Sequence, residues 1–168
     1  MREPNDIESY AALACIAIQS NQNDQHGGQS VPNFDYGMAP GVKKTYKKLY
    51  LTNLGKMLDF LHDVEDGVSR MKEIGEKIEK EHGVYPCMAW DNNYKELELE
   101  ELKKIVSEDE AKKMQDRATK FADKEIRRKT YQAMEAFIHN LNTMHSRAGA
   151  QVPFSSINYG TDTSPEGR

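Results

Sequence analysis

The sequence predicts a mainly α-helical chain: a long antiparallel helical pair, preceded by one short helix and followed by one strand. Two apolar stripes with steps of three or four residues predict the pair, and breaks rich in Gly, Pro and Asn separate the stripes. The composition agrees. Charged residues make up 30% and hydrophobic ones 38% of 168 residues, a balance that suits long solvated helices around one core and leaves no room for a second domain of ordinary size.

The short helix is expected over 6–24. Asn5 or Asp6 serves as N-cap, Glu8 sits in the first turn, and Tyr10, Leu13, Ile16 and Ile18 supply the apolar positions. The run His26-Gly27-Gly28-Gln29-Ser30 ends it, because paired glycines permit positive φ at a helix C-terminus. Residues 31–36, with Pro32 and Asn33, then read as an ordered loop.

After Pro40-Gly41 the first long stripe begins, with Leu54, Leu58, Leu61, Val64, Val68, Met71, Ile74 and Ile78 forming one continuous apolar face that stops at His82-Gly83. Residues 84–94 have no period and read as a connection. The second stripe opens on Ser107 and Glu110, a capping box. It carries Ala111, Met114, Ala118, Phe121, Ile126, Met134, Phe137, Leu141 and Met144. Two helices of about 35 residues would each be about 50 Å long, more than a small domain can cover, so the stripes are available to a second subunit.

Residues 151–159 have strand composition, closed by Gly160. Alternation puts Gln151, Pro153, Ser155, Ile157 and Tyr159 on one face and Val152, Phe154, Ser156 and Asn158 on the other. No partner strand is evident in the sequence, and Thr163-Ser164-Pro165-Glu166 reads as the start of a helix that the chain does not continue. Both features lead to the expectation of a piece of a larger protein.

The net charge of −4 comes from interleaved signs, which excludes a broad basic face for nucleic acid. No apolar run approaches the ~20 residues of a membrane span, no secretory signal is read at Met1, and a cytoplasmic location is expected. Cys15 and Cys87 have no CxxC spacing and read as reduced thiols, Cys15 as a small buried hydrophobe. His139 and His145 are six apart, off a common helix face, and His26, His62 and His82 lack acidic or thiol partners at ligand spacing, so no metal site is predicted.

Two blocks carry a family resemblance. The stretch from His26-Gly27-Gly28-Gln29-Ser30 through Asn33-Phe34-Asp35-Tyr36 to Ala39-Pro40-Gly41-Val42-Lys43-Lys44-Thr45-Tyr46, and the stretch from Asn142-Thr143-Met144-His145-Ser146-Arg147 through Phe154-Ser155-Ser156-Ile157-Asn158-Tyr159-Gly160-Thr161-Asp162-Thr163, resemble the class III anaerobic ribonucleoside-triphosphate reductases. They stand in the family's order with a long helical pair between them, so the resemblance covers essentially the whole chain. It implies part of an α/β ten-stranded barrel of the glycyl radical enzyme type. Residues 1–42 would supply a helix and the Gly-Gly loop, 43–147 a dimer-interface helical pair, and 148–168 a barrel strand with the start of the next helix.

The resemblance implies an oxidoreductase of DNA precursor synthesis that converts ribonucleoside triphosphates to 2′-deoxyribonucleoside triphosphates by glycyl and thiyl radical chemistry. It further implies a homodimer, deoxynucleoside triphosphate or ATP effectors, an iron-sulfur, S-adenosylmethionine-dependent activase, and formate or a dithiol protein as reductant. The glycyl radical motif, the attacking cysteines and the zinc site of the family correspond to no residue here, so no catalytic residue is expected and the piece alone should be inactive. Lys48, with Tyr46, would contact the effector; Lys suits phosphate as a mobile charge, although Lys43, Lys44, Lys47 and Lys48 equally suit a solvated helix face. Gly27, Gly28, Gln29, Ser30, Ser155, Ser156 and Asn158 are the candidates for substrate contact, against plain cap and strand-end roles. The competing class is a freestanding dimeric helical hairpin without catalysis, which would explain the stripes but not the Gly-Gly block or the strand.

Overall fold

The computed structural model describes residues 3–24, 27–143, 152 and 154–168. The predictions for His26, for residues 144–151 and for Pro153 lie outside the described residues. The chain divides into two compact units, one of Met1–Thr45 with Arg127–Arg168 and the other of Tyr46–Ile126. Helices α2 (Phe34–His62) and α5 (Glu108–Thr143) each contribute to both.

In the first unit, α1 (Ile7–Asn21) starts at Asp6, whose carboxylate accepts the Ser9 N–H at 2.8 Å. It buries Ile7, Ala11, Cys15 and Ile18 at steps of three and four. The expected glycine cap is corrected. The helix closes earlier, when the Gln22 N–H donates to the Ile18 and Ser20 carbonyls, and Gly27-Gly28 lie beyond that turn.

Helix α2 begins at Phe34, ahead of Pro40, and not after Pro40-Gly41 as expected. Pro40 removes one backbone donor, but tertiary bonds hold the first turns: Phe34 N–H donates to the Asn158 carbonyl at 2.8 Å, and Asp35 is anchored as described below. Gly41 lets α1 approach, since a Cβ there would lie 2.8 Å from the Tyr10 ring. Buried Thr45 completes the crossing: its hydroxyl accepts the Ile7 N–H at 2.9 Å and donates to the Gly41 carbonyl at 2.8 Å. On α5, Phe137 packs on Phe34 with ring centroids 5.1 Å apart.

The strand does have a partner in the chain, which corrects both the expected orphan strand and the expected loop at 31–36. β1 (Gln29–Val31) pairs in parallel with β2 (Ser155–Ile157). The started helix after Thr163 is a single turn, in which Gly167 N–H and Arg168 N–H donate to the Ser164 carbonyl at 3.1 and 3.2 Å.

In the second unit, the continuous stripe expected from Leu54 to Ile78 is broken. Asp63 and Asp66 adopt φ of 49° and 58°, and the chain turns between α2 and α3 (Gly67–His82). Asp59 accepts the Gly67 N–H at 2.6 Å and closes that turn. Leu54, Leu58, Met71 and Ile78 remain buried, while Leu61, at the end of α2, is exposed. Gly83, with φ 69°, caps α3 where the sequence placed its end.

The connection holds a further helix, α4 (Tyr94–Leu102), which the sequence reading lacked. Its buried face is Tyr94, Glu98 and Leu102. Helix α5 runs antiparallel to α2 within this unit: Asn53 donates to Glu125 at 3.0 Å, while Phe60 and Leu61 further along share a groove with Arg117 and Phe121. The Ser107 hydroxyl donates to the Glu110 carboxylate at 2.7 Å, a side-chain bond between the two residues of the expected capping box. Ser107→Ala should therefore lower stability by about 1 kcal/mol in urea denaturation; an unchanged midpoint would remove the box from the account of how α5 starts. Among the described residues, no helix is long and apolar enough to cross a membrane.

Candidate functional site

Seven of the nine sequence-predicted binding residues meet at the β1–β2 ladder in the first unit. Gln29 pairs with Ser155, Ser30 with Ser156 and Val31 with Ile157. Backbone bonds extend the ladder at both ends: Gln29 N–H donates to the Phe154 carbonyl at 2.9 Å, and Asn158 N–H to the Val31 carbonyl at 3.0 Å. Alternation along the strands leaves Ser30 and Ser156 exposed side by side, while their neighbours on each strand are half-buried. Two hydroxyls thus stand at matched register on the open face.

The two glycines do different work. Gly27 takes φ of 105°, a conformation that suits a residue without Cβ. Gly28 leaves room for the ring of Phe154, which would lie 2.8 Å from a Cβ there but is 84% exposed and can turn aside. Gln29 is already engaged: its amide donates to the Ile18 carbonyl at 2.9 Å and accepts from Asn21 at 3.1 Å, tying β1 to the end of α1. A polar cleft of about 580 Å³ runs beside it, lined by Ser20, Asn21, Asp24, Gly28, Gln29 and Ser30 among others.

Asp35, which the sequence reading did not single out as a site residue, sets the outlet of β2. One of its oxygens accepts the N–H groups of Gly160, Thr161 and Asp162, each at 2.8 Å. The Asp162 amide above all, with those of Tyr36, Gly160 and Thr161, holds the Asp35 carboxyl down at about 2. Three consecutive amides converging on one carboxylate are an anion nest filled from within the chain.

The two proposed effector residues belong to the second unit and do not share a face. Lys48 is exposed. Tyr46 is fully buried, its ring edge-on to Trp90 at 6.2 Å, and burial pushes its hydroxyl pKa well up. Beside Lys48, Lys47 pairs with Glu79.

A second cluster in that unit escaped sequence reasoning. Glu98 has no exposed surface, and its carboxylate accepts from the Tyr50 hydroxyl at 2.7 Å, the Gln115 amide at 2.9 Å and the Tyr94 hydroxyl at 3.2 Å. Burial, only partly offset by these bonds, pushes its pKa up to about 7. No local signal marks it, since Glu98 lies in an alternating Glu-Leu run.

Cys15 and Cys87 are buried thiols whose pKa values are raised by burial, and Cys87 lies between Asp91 and Asn92. Neither lines the cleft beside the ladder. Among the described residues, no three His, Cys, Asp or Glu side chains converge as metal ligands.

Among the described residues, one parallel strand pair is joined through helices in an otherwise mainly helical segment, since a parallel pair cannot be closed by a tight turn. The ladder places that segment's exposed hydroxyls where two distant glycine- and serine-bearing blocks meet. The chain matches the model of the anaerobic ribonucleoside-triphosphate reductase family over residues 1–168, and it belongs to that family. No curated protein matches it individually.

Proposed function

We propose that the chain supplies barrel-wall, effector-site and dimer-interface elements of an anaerobic ribonucleotide reductase, which converts ribonucleoside triphosphates to their 2′-deoxy forms. The observation that carries this reading is the matched register of Ser30 and Ser156, which unites the two family blocks on one open face. Their hydroxyls donate to or accept from a polar substrate group, and Gly28 and Phe154 shape the approach beside them. Gln29 and Asn158 act as positioning residues, because their amide or backbone groups already hold the ladder together.

The radical chemistry of the family depends on a glycyl radical and cysteine thiols, and its zinc on a cysteine module. The two buried cysteines present do not fit either role, so no chemical step is assigned to this chain's residues. Lys48 serves as the phosphate contact for a deoxynucleoside triphosphate or ATP effector, with Tyr46 fixing that turn of α2 from inside. Self-association runs through the apolar groove of Met57, Phe60, Leu61 and Phe121, edged by Lys56 and Arg117; Phe60 is 83% exposed there.

The test is ribonucleotide reduction by the activated reductase with Ser30→Ala and Ser156→Ala combined. A drop of about tenfold in kcat/KM is expected for two lost neutral hydrogen bonds, with circular dichroism unchanged. Undiminished kcat/KM would remove the ladder from the substrate site.

A further inference from the structure

Helix α4 is attached to its unit in an unusual way. It has nine residues, and its N-cap Asn93 makes no side-chain capping bond; Asn92 accepts the Tyr94 N–H at 3.1 Å and Lys77 of α3 pairs with Glu101 at 3.1 Å near the surface, so the buried face is its main hold. That face is centred on a carboxyl group. Tyr50 approaches Glu98 from α2 and Gln115 from α5, while Tyr94 and Lys95 belong to α4 itself. From α3, the charge of Glu79 acts on Tyr94, and Glu79 is paired with Lys47. All three groups bonded to Glu98 are neutral donors. The nearest cation contribution, from Lys95, is Coulombic only, and its ammonium lies over the Trp90 ring at 4.1 Å.

We infer that Glu98 is a proton-operated latch: with its proton it closes α4 onto α2 and α5, and on losing the proton it loosens α4 and the connection 84–93. A carboxylate sealed from water with neutral donors alone retains much of its desolvation cost. The neutral acid avoids that cost, and because hydroxyl hydrogens rotate, Tyr50 or Tyr94 can turn to accept its proton. The connection also contains stored strain. Trp90 is held at φ 47°, in the left-handed region that large residues avoid, by its packing against Tyr46, Tyr50 and Tyr94. Opening α4 hydrates Glu98 and frees Trp90 together.

The sign follows from proton affinity. The closed state, with the carboxyl at about 7, holds its proton more tightly than an open state at the ordinary 4.5. Closure is therefore favoured below the open-state value and weakened as pH rises through the closed-state value.

Amide hydrogen exchange of α4 in the 168-residue chain, corrected for the intrinsic rate, tests this between about pH 5 and about pH 8.5. Across that window protection of the α4 amides should fall with rising pH by up to about 75-fold if opening fully hydrates the carboxyl, and Glu98→Gln should abolish the dependence. An equal pH dependence in Glu98→Gln, or none in the unaltered chain, overturns the latch. A carbon-13 titration of the Glu98 carboxyl in the unaltered chain covers the case in which the variant does not fold. A midpoint near 7 supports the latch, and one between about 4 and 5 overturns it.

Discussion

Gly55→Ala should lower the stability of the chain by about 3 kcal/mol, with a fall in Tm of about 10 °C. The added Cβ would lie 2.4 Å from the Val68 Cα and 2.7 Å from the Val68 nitrogen, and both are backbone atoms that no rotamer change can move aside. Across the same contact, a Cβ on Gly67 would lie 2.5 Å from the Gly55 carbonyl oxygen. Helix α3 crosses α2 so closely that either methyl must push the two helices apart and disturb the Asp59 bond to the Gly67 N–H. Alanine is the better helix former by about 1 kcal/mol, which offsets part of the loss. Gly37→Ala isolates that gain, since nothing lies within 4 Å of a Cβ there; it should be neutral or slightly stabilising in the same thermal unfolding series. If Gly55→Ala were as stable as Gly37→Ala, the close crossing would not exist in solution.

Asp35→Asn should free the outlet of β2. The carboxylate oxygen that accepts three backbone amides loses its charge, and the replacement amide adds a donor facing other donors. Hydrogen exchange at Gly160, Thr161 and Asp162 should accelerate about tenfold or more. In the unaltered chain, acid should do the same. The folded-state value of about 2 lies below the ordinary 3.8, so the anchoring is fully present above about 4 and is lost as pH falls through the folded value. The variant should show no such step. Retained protection at those amides in Asp35→Asn would show that the ladder alone holds them.

Local chemistry made several elements legible in the sequence. Asp6 and Ser107 start helices where their side chains find amide or carboxylate partners within three residues, and Gly83 stops one, so no distant information is needed. The stripes on α2 and α5 persist because Leu54, Leu58, Met114, Ala118 and Ile126 are buried at helical spacing. Helix α4 was hidden by its own composition. Its Glu-Leu alternation has period two, whereas the buried positions Tyr94, Glu98 and Leu102 step by four and include a carboxylate that hydropathy assigns to solvent. The turn between α2 and α3 uses two aspartates in the left-handed region, with no proline and a glycine only as the first residue of α3.

The candidate site divides along the same line. The Gly-Gly block and the serines were visible because unusual residues cluster there, and the parity that separates Ser155 from Ser156 holds in the structure. Their pairing with each other was not visible, because the register depends on a fold that brings together strands at opposite ends of the chain. Tyr46 shows the limit of reading a lysine-rich stretch by residue type: helical geometry turns it inward and Lys48 outward.

The span of that pairing also shapes how the chain forms. Asp35 waits for an amide 125 positions later, and β1 waits for β2 over a comparable interval. At ribosomal rates of about 5–20 residues per second, β1 is made roughly 6 to 25 seconds before its partner exists. During that interval the second unit, whose contacts lie within Tyr46–Ile126, can assemble. Newly made β1 meanwhile presents an unpaired edge, and Gln29, which binds back to α1 through both ends of its amide, gives that edge a local hold until the late strand arrives.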